Sequence, residues 1–147
     1  MKNKKSNFLV GMLAVVVLLL SGCSSAKLAF EASSDINPNI QGVASSTVVY
    51  VYQLKDQYAF ENASFADLTN DASTLNNSIL SRSYYVILPG DDKSITLDID
   101  DQAKYLGFAA GYRNLNVDWK KVIPISKHYY RKSYSIELLK NGIKVED

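Results

Sequence analysis

The sequence is poor in the residues that build most catalytic and metal sites. Its 147 residues include one cysteine, one histidine, three prolines and seven glycines. A single cysteine excludes an intramolecular disulfide and a zinc site made of several thiolates, and a single histidine excludes a site that needs two imidazoles. The scarcity of proline and glycine excludes collagen-like and low-complexity segments. Sixteen basic against 15 acidic residues leave a net charge of +1, which gives no reason to expect a nucleic-acid-binding protein.

What the sequence does contain indicates a folded, β-rich domain. Apolar residues make up 47% of the chain, too many for a disordered protein. Ten tyrosines favour β-structure, because aromatic side chains pack well on a pleated surface. The length matches one ordinary domain.

The first 22 residues have the pattern of a secretory signal peptide. Lysines at positions 2, 4 and 5 are followed by an uncharged apolar run over residues 8–20. This run is too short for a helix that spans a bilayer of about 30 Å, which needs about 20 residues, so it matches the apolar core of a signal peptide.

The cysteine lies directly after this signal, and Leu20-Ser21-Gly22-Cys23 resembles the bacterial lipobox. We therefore predict cleavage between Gly22 and Cys23, with a covalent N-acyl and S-diacylglycerol lipid on Cys23. The alternative is an unmodified cysteine in an ordinary signal peptide. The lipobox interpretation divides the chain into a signal peptide, 1–22, and one mature domain, 23–147. In enterobacterial lipoproteins an Asp after the lipidated cysteine retains the protein in the inner membrane, so the resemblance to a lipobox, with Ser24 in that place, implies export to the outer membrane of a Gram-negative bacterium.

The mature chain shows about eight short apolar or alternating segments, which we predict to be strands. They cover residues 27–31, 47–54, 84–88, 94–100, 104–112, 119–125, 130–139 and 143–145. Between the second and third, apolar residues recur at helical spacing at Phe65, Leu68, Ala72, Leu75 and Ile79, and Ser64 with Asp67 forms a possible capping pair. A mainly β fold with a small helical insertion at about 60–80 indicates a two-sheet β-sandwich.

No segment predicts catalysis. His128 is the lone imidazole, in a polar, basic stretch, and no G-x-S-x-G turn accompanies it. Asp98, Asp100 and Asp101 could suggest a calcium site, but no D-x-D-x-D-G loop is present, and strand alternation explains the first two as a solvated face. Gly107 and Gly111 imitate a G-x-x-x-G pair outside any apolar 20-residue segment, which excludes a membrane dimer motif. We predict a protein that is not an enzyme and holds no metal.

The polar, turn-rich segment 33–46 predicts an exposed loop between the first two strands. Ordered loops of this length are uncommon and are often functional. Ile36, Ile40 and Val43 are its apolar residues. They either form a small contact patch for a partner or tuck under the edge of the sandwich.

Several phrases in combination resemble one family over nearly all of the mature chain. They are Ile36-Asn37-Pro38-Asn39 with Ser45-Ser46, Val49-Tyr50-Val51-Tyr52-Gln53-Leu54-Lys55, the apolar residues Phe60, Ala63, Phe65 and Leu68, Leu88-Pro89-Gly90, Ala103-Lys104-Tyr105-Leu106-Gly107-Phe108-Ala109-Ala110-Gly111-Tyr112-Arg113, and Trp119-Lys120-Lys121-Val122. Together they resemble the outer-membrane lipoprotein of the type VI secretion system, the TssJ family, also called VasD or SciN. One departure is Lys120, where an arginine is expected after the tryptophan.

The resemblance implies a transthyretin-like β-sandwich that faces the periplasm and catalyses no reaction. It also implies a partner, the C-terminal periplasmic region of the IcmF-like inner-membrane protein TssM, and no nucleic-acid or small-molecule substrate. The loop that the family uses for this contact corresponds here to Asp35, Ile36, Asn37, Pro38, Asn39, Ile40, Gln41, Gly42 and Val43 and continues to Ser46. A small-molecule or glycan-binding envelope lipoprotein is the alternative, and it would need an aromatic pocket, for example from Tyr84, Tyr85, Tyr129 and Tyr130.

Overall fold

Alternating apolar residues build two four-stranded sheets that pack face to face. The computed structural model describes residues 24–70, 75, 77–126 and 131–147. The strands are β1 (Ser24–Ala32), β2 (Thr47–Leu54), β3 (Ile79–Ile87), β4 (Asp92–Ile99), β5 (Tyr105–Ala110), β6 (Lys120–Pro124), β7 (Arg131–Leu139) and β8 (Gly142–Glu146). The helices are α1 (Tyr58–Asn62) and α2 (Phe65–Thr69). Sheet A has the strand order β4-β1-β7-β8 and sheet B the order β3-β2-β5-β6, so the predicted mainly β sandwich is confirmed.

The core lies between the two sheets. Leu28 and Phe30 of β1 are fully buried, as their alternation predicts. Tyr134 is buried beside Leu28 on the neighbouring strand β7, and Phe108 is buried on β5 of the other sheet. Each such side chain contributes about 1.5–3 kcal/mol through apolar burial, so the packing of the two inner faces dominates the stability of the domain.

The helical insertion differs from the single stripe that the spacing predicts. Ile79, the last residue of that stripe, begins β3, which starts earlier than predicted. Residues 71–74 and 76, and with them Ala72, lie outside the described residues. The capping prediction is confirmed: Asp67 N donates to Ser64 Oγ at 3.2 Å, and Ser64 N donates to Asp67 Oδ2 at 2.9 Å. The spacing identified the apolar positions, but Ile79 belongs to a strand and not to a helix, because it pairs with Leu54 of β2.

The insertion covers part of the outer face of sheet B. Tyr52 and Leu54, which point away from the main core, are buried there against Phe60 and Leu68. Both strand faces of β2 are therefore covered, as its apolar sequence predicts. Gly107 is essential to this packing, since a Cβ at that position would lie 2.8 Å from the Phe60 ring.

Two basic side chains hold the helices on the sheet. Lys120 Nζ donates to the carbonyl oxygens of Phe60, Glu61 and Ala63 at 3.2, 2.6 and 2.7 Å. Arg82 Nη1 donates at 3.1–3.3 Å to three carbonyls where α2 ends, those of residues 68–70. These cations add donors at helix ends, where carbonyls lack intrahelical partners. The carbonyls of Phe60 and Leu68 also accept from Ala63 N and from the Tyr52 hydroxyl.

Strand direction gives the sandwich two distinct ends. The end where β1 begins holds Ser24, the 100–104 turn and residues 125–126, and we call it the anchor pole. The other end holds the 33–46 loop, the 88–91 turn, the 111–119 segment and the 140–141 turn, and we call it the loop pole. Within the described ranges, neither helix is long and apolar enough to cross a membrane.

Candidate interaction surface at the loop pole

The tip of the 33–46 loop is a closed, hydrogen-bonded turn. The Asn39 side-chain oxygen accepts from the backbone N–H groups of Gln41 and Val43 at 2.9 and 3.0 Å. Asn39 N donates to Val43 O at 2.8 Å, and Gly42 N donates to Asn39 O at 2.9 Å. Gly42 has φ of +78°, a conformation that glycine adopts without strain. These bonds fix the backbone that carries Ile40.

The turn presents Ile40 to solvent. Ile40 is fully exposed and Val43 is 59% exposed. A fully exposed isoleucine on a braced turn loses little conformational freedom when a partner covers it, so its burial contributes to binding almost undiminished. Pro38 is half-buried beside the tip, and Gln41 is exposed.

The base of the loop belongs to the fold. Ile36 is 0% exposed and joins the core between the sheets, so of the two alternatives open for this residue, a contact patch or burial at the sandwich edge, the structure shows burial. Asn37 is 5% exposed, and its side chain connects the base of the loop to the end of the loop and to the 111–119 segment. It donates to Ser46 O at 2.9 Å and accepts from Arg113 N at 2.7 Å. Burial of these two residues stabilises the loop base and leaves Ile40 and Val43 as the apolar surface.

A polar contact closes the start of the loop. Ser33 Oγ donates to the Asp35 carboxylate, and Lys140 Nζ lies 3.6 Å from it. The hydrogen bond from Ser33, together with the Lys140 charge, holds the pKa of the Asp35 carboxyl below its usual range. Asp35 is exposed, so this pair fixes the direction of the loop more than it stabilises the domain.

Other apolar side chains are exposed around the same pole. Among the described residues eight large hydrophobic side chains are exposed, and six of them lie here. These six are Ile40, Val43, Val86, Leu88, Leu115 and Leu139. Sequence reasoning missed the last four, although the apolar character of both faces of 84–88 was a signal. A cluster of exposed apolar side chains at one end of a domain indicates an interaction surface.

Tyr84 and Tyr85, the two described tyrosines of the four named for an aromatic pocket, do not line a common one. Tyr84 is 67% exposed on the outer face of sheet B. Tyr85 turns inward and packs against Phe30, with ring centroids 5.7 Å apart. Tyr129, Tyr130 and His128 lie outside the described residues. Within the part of the chain that the structure describes, no three His, Cys, Asp or Glu side chains group as a metal site would require.

The family model for "Type VI secretion lipoprotein, VasD, EvfM, TssJ" matches residues 24–146. The chain belongs to this type VI secretion lipoprotein family. Its fold resembles that of the type VI secretion lipoprotein TssJ1 from Pseudomonas aeruginosa, with a TM-score of 0.80 and 27% identity over 84% of this chain and 95% of that one. No curated protein sequence matches.

Two further solved structures contain chains of the same fold. One is named "Type VI membrane complex"; its chain is 26% identical, with a TM-score of 0.76 over 85% of this chain and 99% of that one. The other is named for the C-terminal domain (869-1107) of the type VI secretion protein TssM from EAEC; its chain is 24% identical, with a TM-score of 0.69 over 84% of this chain and 98% of that one. Membership of the type VI secretion lipoprotein family therefore rests on the family model, and the superpositions show the shared sandwich.

Proposed function

We propose that this member of the type VI secretion lipoprotein family is anchored in the outer membrane and faces the periplasm. There it holds the C-terminal periplasmic region of a TssM-like, IcmF-related inner-membrane protein. The observation that carries this proposal is the exposed Ile40 on a braced turn, at the pole opposite the predicted anchor. The names of the two solved structures, a type VI membrane complex and a TssM domain, support the same partner here.

The anchor follows from Cys23, which lies outside the described residues. We propose that residues 1–22 are removed and that 23–147 is the working lipoprotein, with no cofactor besides the lipid. Each buried acyl CH₂ contributes about 0.8 kcal/mol to membrane binding, so a multiply acylated cysteine holds the protein firmly. Replacing Cys23 with serine should abolish palmitate labelling and release the protein into the periplasm. A labelled Cys23→Ser variant would refute the anchor.

The geometry suits a tether. β1 starts at Ser24, directly after the proposed anchor, and its nine residues lead straight to the 33–46 loop. At about 3.3 Å per residue this strand spans roughly 30 Å. The anchor pole therefore lies against the membrane, and the loop pole points into the periplasm where a trans-envelope partner can reach it.

Substitution of the loop tip tests the partner surface. Ile40→Asp should weaken binding of the TssM-like periplasmic region by about 10- to 100-fold, because burial of an isoleucine contributes about 1.5–3 kcal/mol. Tyr58→Asp is the matched control, since Tyr58 is also exposed, at 75%, but begins α1 near the anchor-pole end of β2. Titration by isothermal calorimetry measures both. Equal affinity of the Ile40→Asp variant and the wild type would contradict the proposal.

We assign the protein no catalytic role and no small-molecule substrate. The function is mechanical, because the lipid holds one end of the sandwich and a protein contact holds the other. The family that matches the chain is a family of membrane-complex lipoproteins, not one known for enzymes. The glycan-binding alternative loses its main support with the separation of Tyr84 and Tyr85 onto opposite faces.

A further inference from the structure

The edge strand β3 differs from the other sheet edges in its side chains. Within the described residues, β4 and β8 end sheet A, and β3 and β6 end sheet B. Three of these edges carry exposed or half-exposed charges, the kind of side chain that blocks edge-to-edge pairing. The charges are Asp92, Lys93 and Asp98 on β4, Lys144 and Glu146 on β8, and Lys121 on β6.

On β3 this protection is missing. Arg82 is its single charged residue, and its guanidinium donates to the carbonyls at the end of α2. From Ser83 to Leu88 no charged residue occurs. Tyr84, Val86 and Leu88 are instead 67%, 50% and 54% exposed. An uncharged, apolar edge of this length is a template for another strand.

The backbone of the same residues faces outward. Val48 O accepts from Gly111 N at 2.8 Å, so the polar groups of Val48 point toward β5. Val48 is the register partner of Val86 on β3, and the two therefore form a non-hydrogen-bonded pair. The N–H and C=O of Val86 then point away from β2, and the same alternation applies to Tyr84. Both residues thus present a donor and an acceptor on the open side of β3.

We propose that β3 accepts an extended segment of the partner protein as an additional strand along Ser83–Ile87, an inference that rests on the proposed function. The strand would end there, because the N–H of Leu88 already donates to the Asp91 carboxylate at 2.8 Å. Alternating free donors and acceptors are satisfied by an extended backbone, and alternating apolar side chains of the segment cover Tyr84 and Val86. The edge is continuous with the loop pole, since Gly90 N, just after Leu88, donates to Ser33 O at 3.3 Å at the start of the loop. This continuity favours the partner at the loop over a second copy of this chain.

Two substitutions at Val86 separate the backbone from the side chain. Val86→Lys adds the charge that the other edges carry. Val86→Pro removes the outward N–H and leaves the ladder to β2 intact, because that N–H is not part of it. Thr96→Lys is the matched control, since Thr96 is an exposed residue of the edge strand β4. Each variant is expressed from the full-length gene, purified from the envelope in detergent and checked for folding by circular dichroism.

Titration with the periplasmic region of the TssM-like protein gives the affinity. We expect each Val86 variant to bind at least about tenfold more weakly than the wild type, and Thr96→Lys to change affinity by less than about twofold. Residue-resolved hydrogen exchange should show the amides of Tyr84 and Val86 protected in the complex by about tenfold or more. Unchanged affinity of both Val86 variants, or unchanged exchange of the two amides, would overturn the proposal.

The outcomes also distinguish this proposal from the proposed function. If Ile40→Asp weakens binding and the Val86 variants do not, the partner binds at the loop alone and strand addition is refuted. If the wild type does not bind the periplasmic region, both proposals fail. If sedimentation shows that wild type self-associates and Val86→Lys abolishes this without affecting partner binding, the occupant of the edge is a second copy, and the proposal is again overturned.

Discussion

Replacement of Gly107 by alanine should strain the packing of the helical insertion on sheet B. The new Cβ would lie 2.8 and 2.9 Å from two carbons of the Phe60 ring and 3.1 Å from Leu54 Cδ1. Carbon atoms that do not share a bond prefer separations of about 3.5–4.0 Å, so the ring must move by more than half an ångström. Phe60 is 1% exposed and has little room to do so.

The expected loss of stability follows from two opposing effects. Overpacking of a dense core costs about 1–3 kcal/mol. Loss of glycine's freedom in the unfolded chain offsets about 0.4–1 kcal/mol of this. We therefore expect Gly107→Ala to lower the free energy of unfolding by roughly 1–2 kcal/mol.

Gly111→Ala is the matched control, because it is the other glycine of the same sequence pair. Its Cβ would meet Phe65 Cζ at 3.4 Å and Val48 O at 3.5 Å, which are ordinary contacts. We expect this variant to keep its stability or to gain up to about 1 kcal/mol. Urea unfolding followed by the fluorescence of Trp119, which packs edge-on against Phe65 with ring centroids 5.4 Å apart, measures both variants.

A double substitution locates the clash. In a Gly107→Ala background, Phe60→Leu should cost less than it does in the wild type, because the smaller side chain leaves space for the new methyl group. The coupling free energy should be about 1 kcal/mol in favour of the double variant. Equal stability of the two glycine variants, or a coupling of zero, would show that Gly107 is not needed for the approach of Phe60.

Three further predictions address the other contacts. Lys120→Met removes the Nζ donor from three carbonyl oxygens around the end of α1, of which that of Phe60 keeps the backbone N–H of Ala63, and it should cost about 1–3 kcal/mol. Lys121→Met loses one surface contact to Asp118 and should cost less than about 1 kcal/mol. Similar urea midpoints for the two variants would contradict the capping role of Lys120. Asn39→Ala removes the acceptor that closes the loop tip and should weaken partner binding about 5- to 10-fold, because the loop is no longer preorganised. The melting temperature should not change. Wild-type affinity of this variant in isothermal calorimetry would contradict the role of Asn39. Burial raises the pKa of Tyr112 to about 12, so the folded state favours the neutral hydroxyl. The stability that this provides is present below the unfolded pKa of about 10 and is lost as the pH rises toward 12. Tyr112→Phe should flatten the dependence of unfolding free energy on pH between about 10 and 12, and an unchanged dependence would refute the assignment to Tyr112.

Local patterns were enough to predict the strands and the cap of α2. Alternation placed Leu28 and Phe30 inward because a strand has a period of two residues, whatever its neighbours are. Ser64 and Asp67 were recognisable because a capping box needs only residues three apart. The secondary structure of Ile79 could not be predicted from local sequence, because its position suits both a helical stripe and a strand. Pairing with β2 places it in a strand.

The 33–46 loop shows that local sequence also could not predict which residues form the proposed interaction surface. Its existence, length and polar character were predictable, but its three apolar residues looked equivalent. Ile36 is buried and Ile40 is exposed because Asn37 between them bonds Arg113 N, a residue 76 positions away in the sequence. The exposed residues of β3 were missed for a related reason, since both faces of that strand are apolar and only the sheet order shows which edge has no neighbour.

By itself the sequence determined what depends on neighbouring residues, which are the predicted signal and lipid site at Cys23, the strand alternation and the turn chemistry. The tertiary structure decided what depends on distant residues, which are the burial of Ile36, the need for glycine at position 107 and the unprotected edge of β3. The physical reason is that covalent processing and backbone periodicity act over a few residues. Burial and edge exposure are properties of surfaces that come together only when the two sheets pack.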